Sequence, residues 1–246
     1  YAQSSKGEEN IFFSPFSVST SLAVAYAGAR GNTAKEMKDV LHFDLEPARL
    51  HAAVSALLGE LEVPTDKRGC RLHIANGLWM EQTHGFLPEF LAIGRKDYRA
   101  ELRLVDFAQA AEAQRKAINE WIDERTNGKI KDLLPEKAVS PETVLVLTNA
   151  LYFKGDWEAK FEQRLTKEAT FTVAGGKTVQ VPMMHQIDYL FRYQEQADLQ
   201  ILELPYVGRV FSMVFLLPRK VDGMADLEQA LSAKALHEWI GGVKEQ

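Results

Sequence analysis

An uncharged, mostly apolar stretch over residues 11–29 dominates the first part of the chain. Phe16, Val18, Leu22, Val24 and Tyr26 are distributed nearly all round a helical circumference, which predicts a helix lying inside the molecule. Ser14 stands where an N-cap hydroxyl meets an orphan backbone N–H, and Pro15 suits the first turn. Before it, residues 1–6 read as the tail of a helix and residues 10–13 as a short strand. After a turn at residues 28–32, Thr33 and Glu36 form a capping box that starts a helix through Met37, Val40 and Leu41. Residues 47–62 place Leu50, Val54, Leu57, Leu58 and Leu61 on one helical stripe. Residues 71–80 then read as a strand and residues 88–98 as a helix. Residues 101–107 alternate like a strand, with Leu102 and Leu104 on one face. A helix over residues 108–126 buries Ile118, Trp121 and Ile122 and stops at Asn127-Gly128, a C-cap signal.

The run Val144-Leu145-Val146-Leu147 does not alternate. It predicts a strand over residues 143–147 covered on both faces, the central position of a sheet. Asn149 follows where a core residue is expected. Burying that amide costs about 1–3 kcal/mol unless its donors and acceptors find partners. Beyond Trp157 the pattern turns to strands: residues 170–173 and 178–181 flank Gly175-Gly176, a hairpin signal. Two more strands, residues 199–204 and 210–217, are joined through Pro205 and Gly208. Helices over residues 224–231 and 233–240 end the pattern. Helices come first and strands later, so the fold class is α+β with one intertwined core.

The 246 residues are 46% apolar and 26% charged, enough to build a sizeable core. A net charge of -5 and a pI near 5.8 argue against a nucleic-acid or heparin surface. Basic residues are scattered, and the helix over residues 47–62 carries Arg49 alone. The single cysteine, Cys70, excludes an internal disulfide framework and a cysteine zinc cluster. A signal peptide in front of Ala29 would need a basic start, whereas Lys6 is followed by Glu8 and Glu9. Ser14, Pro15, Ser17, Ser19, Thr20 and Ser21 make the same stretch too polar for a membrane span.

Catalytic signatures are absent. No G-x-S-x-G elbow occurs, and the six histidines share no H-E-x-x-H spacing. His73, inside an apolar strand, reads as a hydrogen-bonded core side chain. Gly28 to Gly31 is too short for a phosphate loop, and Glu8-Glu9 and Asp123-Glu124 read as solvated faces. A hydrolase built on Ser14 or Ser17 would need a histidine and an acid converging on the helix start. The residues therefore point to no enzyme, no metal and no cofactor.

Five segments carry a resemblance instead. Asn10-Ile-Phe-Phe-Ser-Pro-Phe-Ser17, Gly28-Ala-Arg-Gly-Asn-Thr-Ala-Lys-Glu-Met37 and Asn149-Ala-Leu-Tyr-Phe-Lys-Gly-Asp-Trp157 resemble serpin signatures, in the serpin order. Phe171 followed by Val181-Pro-Met-Met184, and Leu204-Pro-Tyr206 before Phe211-Ser-Met-Val-Phe-Leu-Leu-Pro218, do so too. The resemblance implies the serpin fold, with helices packed on a large central mixed sheet A and smaller sheets B and C. It implies an inhibitor of a serine protease, or of a cysteine protease, acting as a monomer. An exposed reactive loop is cleaved, and the protease is trapped as a covalent acyl complex while the loop inserts into sheet A. The alternative is a non-inhibitory serpin serving as carrier, chaperone or binding protein.

Carried onto this chain, the resemblance assigns Ser14, Ser17 and Asn149 to the polar "shutter" beneath two strands that must part. It assigns Trp157 to the "breach", where insertion begins. The helix ending at Gly128 would lie across the sheet. Residues 1–246 are expected to form one incomplete serpin domain, with the first helix cut short. The reactive bond and C-terminal strands are expected outside it. The resemblance implies an extracellular or secreted protein, with the cytoplasm as the alternative.

Overall fold

The computed structural model describes residues 10–62, 69–187 and 189–245, except for the side chain of Ala174. Two compact units divide the chain: one of residues 13–64 and 71–153, the other of residues 154–246 with residues 1–12 and 65–70. The expected helix tail at residues 1–6 lies outside the described residues.

In the first unit, α1 (Pro15–Gly28), α2 (Gly31–Leu41) and α3 (Pro47–Leu61) precede β1 (Cys70–Glu81). Then come α4 (Pro88–Asp97), β2 (Glu101–Val105), α5 (Phe107–Arg125) and β3 (Leu145–Gly155). The strands form one sheet in the order β2-β1-β3. β1 and β2 run parallel, from Gly77 opposite Glu101 to Glu81 opposite Val105. β3 runs the other way: Glu81 N–H donates to Val144 O at 2.9 Å, while Asn76 meets Asn149 further along.

Strand alternation sends the two faces of this sheet into two cores. Leu78, Met80, Leu102, Leu145 and Leu147 pack with Ala23, Val24, Tyr26 and Ala27 of α1, Phe43, Phe90 and Tyr98. Trp79, Val105, Val146 and Ala150 pack with Phe107, Ile118, Trp121 and Ile122 of α5. Both faces of β3 are therefore covered, which explains its non-alternating run. The central position expected for that strand is not found, because among the described residues its one strand neighbour is β1. An apolar run reports cover on the faces and carries no information about neighbours at the edges.

Glu81 ties α5 to the sheet. Its carboxylate, 5% exposed, accepts Phe107 N–H at 2.7 Å and Ala108 N–H at 3.2 Å, the orphan donors of the helix start. Asp106 caps the same turn by accepting Gln109 N–H at 2.9 Å. At the far end Asn127 and Gly128 take φ of 53° and 74°, the left-handed stop read from the sequence.

Several local expectations give way. Residues 10–13 form no strand. α2 begins at Gly31, ahead of Thr33, and its N-cap Arg30 makes no side-chain cap bond. Glu36 instead accepts the Asn32 amide at 2.6 Å, so the capping box is not made. Leu104 is 68% exposed and does not share a covered face with Leu102, because β2 is a short edge strand. His73 is exposed, its ring stacked on Tyr152 at 6.0 Å, and is not a core side chain.

In the second unit, β4 (Lys167–Thr172) and β5 (Thr178–Met183) form the expected antiparallel hairpin. Gly175 and Gly176 turn it with φ of 75° and 76°, where a Cβ would strain the backbone. β6 (Arg192–Glu195), β7 (Leu199–Pro205) and β8 (Ser212–Pro218) are followed by α6 (Met224–Ala230), α7 (Ala233–Gly241) and β9 (Lys244–Glu245). The strands order as β8-β7-β6-β9. One face of that sheet, with Leu199, Ile201, Val214 and Leu216, packs on Leu227, Trp239 and Val243.

Candidate functional site

Asn149 projects from β3 on the face that carries Leu145 and Leu147, toward the core holding α1. Its Nδ2 donates to Asn76 Oδ1 at 2.5 Å, across to β1. Asn76, 8% exposed, passes its own Nδ2 hydrogen to Tyr98 O at 2.8 Å. The Tyr98 hydroxyl, at the end of α4, lies 2.6 Å from Nδ1 of His51 on α3. Asn149, Asn76, Tyr98 and His51 are thus linked from the sheet to a helix, Tyr98 joining by its backbone carbonyl on one side and its hydroxyl on the other. Asn149 Oδ1 is buried and has no hydrogen-bond partner among the described residues.

Burial sets the protonation of the two titratable groups in that line. Burial, reinforced by the Asp97 carboxylate, holds the Tyr98 phenol protonated well above its ordinary range. Burial also pushes the His51 imidazole below its ordinary value, against the opposite pull of Asp97. With the phenol protonated and the ring neutral, Tyr98 donates to Nδ1 in the Nε2–H tautomer and accepts from it in the Nδ1–H tautomer.

The two serines of the expected shutter are joined to each other at the start of α1. Ser14 Oγ accepts Ser17 N–H at 3.1 Å, the N-cap bond expected of it. Ser17 Oγ is buried with no partner among the described residues. No hydrogen bond links either serine to Asn149 among those residues. Among the described residues, neither hydroxyl is hydrogen-bonded to a histidine.

Trp157 lies in the second unit and stacks on Tyr206, with centroids 4.5 Å apart and planes at 10°. The backbone laces the same two segments together: Glu158 N–H donates to Pro205 O at 3.0 Å, and Val207 N–H to Asp156 O at 2.9 Å. Arg209 Nε donates to both Glu158 oxygens at 2.8 and 3.0 Å, and Tyr189 OH donates to Glu158 at 2.8 Å. The Arg209 bond, then the Tyr189 bond, hold the Glu158 carboxyl below the usual carboxylate range.

Sequence reasoning found Asn149 but missed Asn76, Tyr98 and His51. Two signals were present. Asn76 breaks the apolar end of β1 much as Asn149 interrupts β3. His51 falls on the stripe with Val54 and Leu58, at helical spacing. Among the described residues, no group of three or more His, Cys, Asp or Glu side chains is placed to hold a metal. No helix among them is long and apolar enough to cross a membrane.

The family model described as serpin (serine protease inhibitor) matches residues 1–246. A leukocyte elastase inhibitor of Sus scrofa is 44% identical over 237 residues, which cover 94% of this chain and 61% of that protein. Human serpin B3 is 40% identical over 248 residues, covering 94% of this chain and 63% of its own length. The solved structure of emu (Dromaius novaehollandiae) ovalbumin superposes with a TM-score of 0.92 at 35% identity, over 97% of this chain and 65% of that one. The chain thus spans less than two thirds of the length of these relatives. With the motifs in order, the α+β fold matched and every residue inside the family model, this chain belongs to the serpin family.

Proposed function

We propose that the chain is part of a serine-protease inhibitor that traps its target as a covalent acyl complex, a cleaved reactive loop inserting beside β3. Residues 1–246 are then one part of a single serpin domain whose loop lies outside them. The observation that carries this is Asn149, which holds β3 to β1 through Asn76 while its own Oδ1 is buried without a partner among the described residues. A polar latch can break and re-form, whereas interlocked apolar packing must be repacked. In this reading Ser14, Ser17 and Asn149 form the latch, Asn76 joins it, and Trp157 marks the place where insertion begins.

The relatives named leukocyte elastase inhibitor supply the first target class to try, an elastase-like enzyme. A single, buried cysteine in these residues suits the cytoplasm, the alternative, better than the secreted location expected first. Incubating the intact protein with elastase-, chymotrypsin- and trypsin-like proteases tests the proposal. An SDS-stable complex is expected with one of them. Cleavage without a complex would overturn the trap and leave a non-inhibitory serpin acting as carrier, chaperone or binding protein.

A further inference from the structure

We propose that His51 is a positioning residue for Asn149, holding the sheet-borne amide through Tyr98 and Asn76 while neutral and loosening it when protonated. The consequence for protease trapping rests on the latch role proposed for Asn149; the coupling itself does not. His51 is 4% exposed and Tyr98 is fully buried, with their rings edge to face at 5.6 Å. Tyr98 therefore meets α3 with its hydroxyl and β1 with its carbonyl.

In the Nε2–H tautomer the Tyr98 hydroxyl donates to Nδ1; a proton on Nδ1 reverses that bond, so that the phenol oxygen accepts across 2.6 Å and its hydrogen loses its partner. The phenol must turn its hydrogen elsewhere in a core that offers it Tyr26, Phe43 and Phe90 as neighbours in the same cluster. A shift of Tyr98 moves the carbonyl that orients Asn76, and with it the oxygen that receives the Asn149 amide.

The surroundings allow this response. From the end of α4, Asp97 is the charge that acts on the ring and favours protonation. Arg99 is paired with Glu62 at the end of α3. α1 brings no charged side chain, its titratable group being the Tyr26 phenol. Burial outweighs Asp97, so the folded state keeps the ring neutral where the unfolded chain would bind a proton near 6.5. Stability contributed by His51 is complete above that value and declines as the pH falls through it.

Hydrogen exchange of the intact protein, corrected for intrinsic rates, at about pH 7.5 and about pH 5 tests the coupling without any protease. Wild type should lose protection several-fold in residues 145–153 at the lower pH. His51→Gln supplies a non-titrating acceptor for Tyr98 and should abolish that difference while keeping protection at the higher pH. Tyr98→Phe should lower protection at both. An equal pH response in wild type and His51→Gln, or a response confined to α3, would overturn the proposal. Should His51→Gln fail to fold, NMR of the wild type decides: the Asn149 side-chain amide must titrate with the His51 ring, and a flat amide signal refutes the link. Complex formation at the higher pH, where His51 is neutral in either case, tests the trap separately.

Discussion

Asn149 donates one hydrogen bond to β1, and its Oδ1 is buried without a partner among the described residues. Asn149→Ala removes the donor to Asn76 Oδ1 and should destabilise the fold by about 1–3 kcal/mol, the cost of a buried acceptor left unmade. The simultaneous loss of the unpaired Oδ1 favours the lower end. Asn76→Ala in the same protein should then add less than it costs alone, because it loses the bond to Tyr98 O but not the pair already broken, with a coupling of about 0.5–3 kcal/mol. Urea midpoints of the two single variants and the double variant measure it, and strict additivity would show that the 2.5 Å contact holds nothing. Asn149 was legible because a polar residue in an apolar strand is conspicuous. Its partners were not, because the line is made across 73, 22 and 47 residues of sequence and no local pattern reports such pairings.

Among elements, α5 and the segment around Trp157 carry the clearest expectations. The Glu81 carboxyl is held below its ordinary range, first by the Thr83 hydroxyl and backbone, then by Phe107 and Ala108 N–H. A lowered carboxylate stabilises the fold above the unfolded value, and that contribution is lost as the pH falls through the folded one. Glu81→Gln should therefore speed amide exchange in residues 107–125 at neutral pH, and the gap to wild type should close in acid. A gap that persists unchanged in acid would assign the effect to packing. Around Trp157, Arg209→Gln keeps the Tyr206 stack but removes the Arg209 bonds to Glu158, leaving its carboxylate the Tyr189 bond. Fluorine NMR of fluorotryptophan-labelled protein should then show the Trp157 line shifted, and an unmoved line would mean that the ring stack alone holds this segment. The helices read well from sequence because apolar stripes and Pro15, Pro47 and Pro88 mark them. β6 and β9, four and two residues long, offered too short a pattern to find.

For the molecule as a whole, the sequence revealed that β3 is covered on both faces but not which strands flank it. Face cover follows from apolar residues within the strand, whereas strand order depends on contacts between distant segments. The proposed insertion has a thermodynamic consequence. β3 is 11 residues long. A strand added beside it would gain ladder hydrogen bonds and extend the cover of both cores, as the proposed trap requires. Protein cleaved in its reactive loop should therefore melt at a markedly higher temperature than intact protein, in paired calorimetric scans at one scan rate. Single variants at Asn149 or Asn76 should narrow that difference by destabilising the sheet before insertion and after it by unequal amounts. Equal melting temperatures for the cleaved and intact forms would remove insertion beside β3 from the mechanism while leaving membership of the family untouched.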